Sequence, residues 1–222
     1  MRLLCMFAMV AVLASCSGTS RIYYQDFKAA LSRPADANLS LQQLQSSSFD
    51  SLYFTRDDGP VLSLALAFIE HGQQKWVSAD NAYLILQHGR VVRTVGFTSD
   101  LHHSTHISGD PLQYGPDQLK QAAPWLRLTD WTDASGLPLQ SVFTEAEPEF
   151  LNLLEQQIAC RVFVERVTAI DSAEQFENRY WFDAASGTLL QSRQQLRPQG
   201  PVYTMTFISR YARLISPAGA DL

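Results

Sequence analysis

Cys160-Arg-Val-Phe-Val-Glu-Arg-Val167, Phe176-Glu-Asn-Arg-Tyr-Trp-Phe182, Thr188-Leu-Leu-Gln-Ser-Arg-Gln-Gln-Leu196 and Val202-Tyr-Thr-Met-Thr-Phe-Ile-Ser-Arg-Tyr211 are the four runs that decide the fold. Each is rich in β-branched and aromatic residues, which pack well on a pleated, half-buried surface. Asp171–Glu174, Asp183–Gly187 and Arg197–Gly200 separate them with turn-forming residues. Strands recurring at roughly ten-residue spacing predict an all-β architecture: a sandwich, a barrel or a strongly curved sheet. Tyr180 and Trp181 fall on opposite faces of one strand, so one is expected in the core and the other partly exposed. Asp183 and Gly187 bound a hairpin turn. Cys160 lies in the apolar run Ile158–Val167 and reads as a buried structural thiol.

The same signals recur upstream. Leu52–Arg56 runs into the turn Asp57-Asp58-Gly59-Pro60, then Val61–Glu70, the turn His71-Gly72, and Lys75–Ser78. Ala82–Gln87 and Arg90–Phe97 flank His88-Gly89, a two-residue hairpin loop in which Gly89 supplies positive φ. Together these predict an antiparallel meander of four or five strands. Trp125–Trp131 and Leu139–Phe143 read as strands around the Asp133–Gly136 turn, and Phe150–Leu154 as a strand leading into Gln156. Residues 98–116 read as a long polar loop, of a length that is often functional or mobile.

Helical signals are sparse. Asp117–Ala122 predicts a short helix with Asp117 near its start. In Arg21–Ser32, residues Ile22, Tyr23, Phe27, Ala30 and Leu31 fall at helical spacing, with Pro34 just beyond. Such a stripe either lies on a membrane or packs on the domain, and packing is the simpler reading. The expected architecture is therefore mainly β. Residues 21–215 form a single domain with a large, strongly curved or barrel-like antiparallel sheet and one or two short helices. Residues 216–222 form a loose tail.

At the start of the chain, Arg2 precedes the apolar run Leu3–Val12 and the small-residue site Leu13-Ala14-Ser15-Cys16. A membrane-spanning helix needs roughly 20 apolar residues, and no stop-transfer charges follow this run, so it reads as an export signal. Leu-Ala-Ser-Cys resembles the lipobox of bacterial lipoprotein signal peptides. That resemblance implies removal of residues 1–15, covalent lipid on Cys16 as the lipid attachment, and a lipidated tether over 16–20. Two or three acyl chains suffice to hold a protein on a bilayer. Ser17 stands where inner-membrane retention typically shows Asp, which by resemblance to that sorting rule implies the outer membrane.

Seventeen Lys and Arg stand against 22 Asp and Glu, a net charge of −5, and loss of Arg2 with the signal makes it −6. A mildly acidic chain without a basic stripe argues against nucleic acid and against electrostatic docking on anionic lipid. With Cys5 in the signal and Cys16 acylated, Cys160 is left alone and the mature chain forms no intramolecular disulfide.

Candidate chemistry is thin. His102, His103 and His106 lack the helical setting and the glutamate of a metalloprotease motif, so they read as a solvated polar loop, and no metal site is assigned. Glycoside cleavage needs two carboxylates facing each other about 5–9 Å apart. Asp57/Asp58, Asp130/Asp133 and Glu145/Glu147/Glu149 are the available groupings, and the glutamate trio also reads as one solvated strand face. Asp130, Trp131 and Asp133 combine acid with an aromatic ring on which a pyranose could stack, and are the candidate glycan or partner contact. Neither a Gly-rich phosphate loop nor a nucleophile elbow is present, so nothing points to an enzyme.

Four separated stretches, Trp76-Val-Ser-Ala-Asp, Gly89-Arg-Val-Val-Arg-Thr-Val-Gly, Asp110-Pro-Leu and Tyr180-Trp-Phe-Asp-Ala-Ala-Ser-Gly-Thr-Leu-Leu-Gln-Ser-Arg-Gln, resemble the YjbF/GfcB group of bacterial lipoproteins. The resemblance implies an outer-membrane lipoprotein, its domain facing the periplasm, that serves secretion or assembly of a group 4 capsule or an exopolysaccharide. It implies a bent or barrel-like antiparallel sheet, polysaccharide and export proteins as partners, and no catalytic residue. A second reading is a carrier of lipid or lipoprotein, which requires an apolar concavity inside the curved sheet. A third is a periplasmic glycan-modifying enzyme, which requires acidic side chains converging in a cleft.

Overall fold

A computed structural model of the chain describes residues 39–215. Residues 1–15, Cys16, the tether 16–20, the expected helix Arg21–Ser32 and the tail 216–222 lie outside the described residues. The described chain builds one twelve-stranded antiparallel sheet. Its strands are β1 (Ser51–Arg56), β2 (Leu62–Glu70), β3 (Gln73–Val77), β4 (Tyr83–Gln87), β5 (Arg90–Val95), β6 (Leu101–Ser104), β7 (Trp125–Trp131), β8 (Leu137–Leu153), β9 (Gln156–Ala169), β10 (Gln175–Asp183), β11 (Leu189–Gln195) and β12 (Val202–Thr206). Three short helices accompany them: α1 (Leu41–Gln45), α2 (Pro116–Leu119) and α3 (Ile208–Ile215).

The order is that of an up-and-down barrel. Each strand pairs with its sequence neighbours, and β12 returns to pair with β1, with Met205 opposite Phe54. The exception is β5 and β6, which lie side by side with no ladder between them. Side chains bridge this seam instead. Leu101 N donates to Thr94 Oγ1 at 2.8 Å, and the Asp100 carboxylate accepts from Thr94 Oγ1, Gly96 N and Phe97 N at 3.0–3.1 Å. From across the interior, Gln194 accepts from Val91 N and donates to Gly89 O. The sheet's two open edges are thus blunted without a thirteenth strand.

Strand alternation turns apolar residues inward. Leu52, Phe54, Trp76, Leu84, Leu86, Phe143, Phe163, Tyr180, Tyr203 and Met205 form the main core. Phe54 stacks on Tyr203 and Phe163 meets Phe182 edge-on, so the interior is filled by side chains. Arg93, Arg166 and Glu177 face solvent.

The turns form as the sequence dictates. His71-Gly72 and His88-Gly89 both have positive φ at each position, matching the strand twist of a two-residue hairpin. Gly89 is required twice over: its φ is +86°, and a Cβ there would sit 2.1 Å from Leu189 Cδ2.

Five readings are corrected. The loop expected over 98–116 contains strand β6 and two 3-10 turns, Ile107–Gly109 and Pro111–Tyr114, with Asp110, Pro111 and Leu112 buried. Leu139–Phe143 and Phe150–Leu153 are parts of one 17-residue strand, β8, bent by a bulge between Ala146 and Glu149 that accommodates Pro148, and Leu154 falls in the turn that follows. The last run ends as a strand at Thr206; beyond Phe207, Ile208, Tyr211, Ala212 and Ile215 recur at helical spacing, and α3 turns back over the sheet. Because α3 covers that outer face, Trp181 is buried along with Tyr180, packing on Cys160, Leu190 and Tyr211. Finally, the helix expected over Asp117–Ala122 is α2, which starts at Pro116 and ends at Leu119.

Candidate functional site

The most concentrated chemistry lies inside the barrel. Arg90, the first residue of β5, is 2% exposed and donates in three directions. Its Nε and Nη2 meet Asp110 Oδ2 and Oδ1 at 2.5 and 3.2 Å, and its Nη1 meets Glu165 Oε2 at 2.9 Å. Glu165 Oε2 also accepts from Asn178 Nδ2 and the Tyr180 hydroxyl. Arg127 on β7 stands 3.5 Å from Glu165 Oε1 and donates to Ser141 Oγ at 2.6 Å. The Trp125 ring has a guanidinium carbon 4.7 Å from its centroid from each of Arg90 and Arg127.

Two guanidinium groups and two carboxylates make the cluster neutral, and that is what allows it to be buried. Burial alone would raise the Glu165 carboxyl, but Arg90 and Arg127 overcome it and hold it down at about 2. Burial and the neighbouring Arg90 lower Arg127 to about 10. Arg90 itself is held above its ordinary value: Asp110 and Glu165 outweigh its desolvation. Burial, with Glu165 adding to it, pushes the Tyr180 hydroxyl up. Glu165 is therefore a locked carboxylate with no proton to give near neutrality, and solvent does not reach it. The cluster ties the edge strand β5 to β9 and to the segment following β6. It is a lock on the seam.

Three of the four stretches carrying the family resemblance meet here, through Arg90, Asp110 and Tyr180. The sequence did hold a signal for it. Glu165 shares the inward parity of Phe163 and Val167, and Arg127 that of Trp125 and Thr129, so strand phase alone places two charges inside.

Asp130, Trp131 and Asp133 come together where β7 turns into β8. Trp131 is 7% exposed; its Nε1 donates to Thr129 Oγ1, and the Arg197 guanidinium stands 5.0 Å from its ring centroid. Asp133 takes a two-point contact from Arg197 and another from Ser99 Oγ, and the first of these bonds leads in holding its carboxyl at about 2. Asp130 caps the turn by accepting from Gly136 N. Stacking a sugar needs an open ring face, and Trp131 does not present one.

Members of the other groupings are engaged as well. Glu145 pairs with Arg161, and Glu149 accepts from Arg179 and from Trp181 Nε1. His102 meets Thr132 Oγ1 and His106 meets Thr105 Oγ1. Among the described residues no three His, Cys, Asp or Glu side chains are grouped to hold a metal ion. Cys160 is buried, and burial, with Asp183 and Glu149 nearby, pushes its thiol up to about 11.

Among the described residues no helix is long and apolar enough to cross a membrane. Comparison with known proteins adds the context. Residues 24–208 match the family model described as the group 4 capsule polysaccharide lipoprotein GfcB, YjbF. The chain is 31% identical over 199 residues to the uncharacterized lipoprotein GfcB of Escherichia coli K12, covering 88% of this chain and 92% of that one. It is 32% identical over 188 residues to the uncharacterized lipoprotein YjbF of the same organism, covering 83% and 87%. The crystal structure of the hypothetical lipoprotein YmcC from E. coli K12 superposes with a TM-score of 0.67 at 31% identity, over 78% of this chain and 89% of that one. None of these names carries an enzyme activity. The chain belongs to the YjbF family of group 4 capsule polysaccharide lipoproteins.

Proposed function

We propose that this protein is an outer-membrane lipoprotein, anchored by lipid on Cys16 and facing the periplasm, that assists secretion or assembly of capsular polysaccharide or an exopolysaccharide. It acts without catalysis, by binding the glycan or a partner in export. The observation that carries the reading is the family match over residues 24–208 on a barrel whose ionisable interior is neutralised and closed. Such a domain works through its surface. Of the trio Asp130, Trp131 and Asp133, the part available to a glycan or partner is the exposed Asp133 carboxylate, paired with Arg197, because the ring of Trp131 is covered.

The interior bears on both rival readings. A lipid carrier requires an apolar cavity inside the curved sheet, and here Trp76, Tyr180, Phe163 and Tyr203 fill that space. A glycosidase requires an open carboxylate pair, and the pair the barrel brings together, Asp110 and Glu165, is buried on either side of Arg90.

The test is a clean deletion complemented with wild type or with Cys16→Ala, scored for membrane fraction and for secreted polysaccharide. Wild type is expected in the outer membrane and to restore the polymer. Cys16→Ala is expected to leave the membrane and fail to restore it. Full rescue by a soluble Cys16→Ala protein defeats the anchored reading.

A further inference from the structure

The two ends of the barrel differ in what they expose. Neighbouring strands run antiparallel, so alternate links fall at the same end. One end carries the entry at Leu39, the turns at 71–72, 88–89, 154–155 and 184–188, the link 105–124 and helix α3. Among the described residues three aromatic side chains are exposed: Phe68 at 51%, Tyr114 at 56% and Phe150 at 64%. All three lie at this end, and Ile69, 59% exposed, stands next to Phe68. We propose that this end of the barrel is a membrane-contacting face, with its rings seated in the headgroup layer of the bilayer that anchors the chain. The proposal rests on the reading that lipid on Cys16 holds the protein at the membrane.

Placement is the first argument. Phe68 and Ile69 stand just before the His71-Gly72 turn, Phe150 just before the Leu154-Glu155 turn, and Tyr114 ends the second 3-10 turn of the link between β6 and β7. In the order of twelve strands β2 and β8 are six places apart, so Phe68 and Phe150 stand on opposite sides of the rim. Contacts on opposite sides of a rim set a barrel upright, whereas one patch on the wall would lay it on its side. The chemistry suits the boundary between headgroups and acyl chains, which aromatic side chains favour. Lys75, with its Nζ 5.3 Å from the Phe68 ring centroid and 4.0 Å from that of Tyr83, adds a cation that can reach a lipid phosphate.

Charge is the second argument, and it fixes which end faces the lipid. The links at the opposite end, 57–61, 78–82, 96–100, 132–136, 170–174 and 196–201, hold seven Asp or Glu against Arg197 alone. At the aromatic end the entry 39–50, the links and the segment 207–215 hold four acids against three bases. One of those four, Asp110, is buried against Arg90. Anionic phospholipid repels the acidic end, while the aromatic end is close to neutral. The contact is therefore apolar and aromatic, in keeping with a chain that has no basic stripe.

The route of the chain is the third. Leu39 is held at this end by its N–H, which donates to the Tyr53 hydroxyl at 2.8 Å. Residues coming from Cys16 therefore join the barrel on its aromatic side. Seating the rings turns the acidic end into the periplasm, and with it Asp133, the carboxylate available to a glycan or partner.

The test supplies a tether that does not depend on the native lipid. Residues 16–222 with Cys16→Ser and an N-terminal histidine tag are held on phosphatidylethanolamine/phosphatidylglycerol vesicles containing nickel-chelating and doxyl-labelled lipid. An environment-sensitive fluorophore is attached through His71→Cys or Asn152→Cys at the aromatic end, and through Asp58→Cys or Ser172→Cys at the acidic end. All four positions are exposed, and Cys160 is buried. Quenching at 71 and 152 is expected to exceed that at 58 and 172 roughly fivefold, and Phe68→Ser/Phe150→Ser to abolish the difference. Equal quenching at the two ends would overturn the proposal. So would a difference that survives Phe68→Ser/Phe150→Ser, which would assign the orientation to the tether alone. Release of Cys16→Ala from the membrane in cells is scored separately, so a missing anchor and a misplaced face are told apart.

Discussion

Replacing Arg90 with Met keeps most of the side-chain bulk and removes the charge that joins the two carboxylates. Arg90 makes three hydrogen bonds to Asp110 and Glu165 and is 2% exposed. Hydrogen bonds to charged groups contribute about 1.5–3 kcal/mol each, so the gross loss is roughly 4.5–9 kcal/mol. Relief from desolvating a guanidinium offsets part of that, and breaking one side of a buried pair typically costs about 3–5 kcal/mol net. The loss is large against a domain stability of about 5–15 kcal/mol. For a urea slope near 2 kcal/mol/M, the unfolding midpoint should fall by roughly 2 M. Equilibrium urea unfolding of residues 16–222 with Cys16→Ser is the assay. Arg90→Met/Asp110→Asn leaves Arg127 against Glu165, and should recover part of the loss, with a coupling of at least about 1 kcal/mol. A cost for Arg90→Met below about 1 kcal/mol, or two additive single effects, would refute the claim that this cluster locks the seam.

Further outcomes follow from the same geometry. Glu165 titrates lower in the folded chain, at about 2, than in the unfolded one, so its stabilisation is complete above about pH 5 and drains as pH falls toward 2. Thermal unfolding from pH 7 to 3 should show that loss in wild type and a flatter profile in Glu165→Gln. Gly89→Ala meets both the φ of +86° and Leu189, so it should cost about 2–4 kcal/mol and lower Tm by roughly 5–15 °C. Gly72→Ala, where a Cβ would touch nothing within 4 Å, should cost only about 1 kcal/mol for its φ of +78°. Cys160, with its thiol at about 11, should resist maleimide at pH 7 and label fully only after denaturation.

Where local chemistry sets the structure, the sequence was readable. β-branched runs and paired turn residues such as His88-Gly89 marked eleven of the twelve strands, because alternation and turn geometry act over a few residues. What escaped depends on closure. Leu101–Ser104 carries two histidines and a serine, and becomes strand β6 because Trp131, Asp130 and Thr129 stand opposite to pair with it. Ile208–Tyr211 looks strand-like by composition, yet the sheet's outer face at Cys160, Trp181 and Leu190 needs a cover, and a helix supplies it. Tertiary burial also decided Trp131, whose nearby acids suggested a sugar platform but whose ring is held under Arg197. The ion cluster joins positions as far apart as 90 and 165, so only strand phase hinted at it.

Where the polymer stands in a deletion strain tests the central claim most directly: whether this lipoprotein moves or assembles polysaccharide without altering it. Secreted and envelope-retained polysaccharide would be quantified separately, with composition and chain length determined for each. The account predicts less polymer outside, more retained within the envelope, and unchanged chemical structure. Equal secretion of a polymer with altered substituents or linkage would contradict it, and would put catalysis in place of assembly.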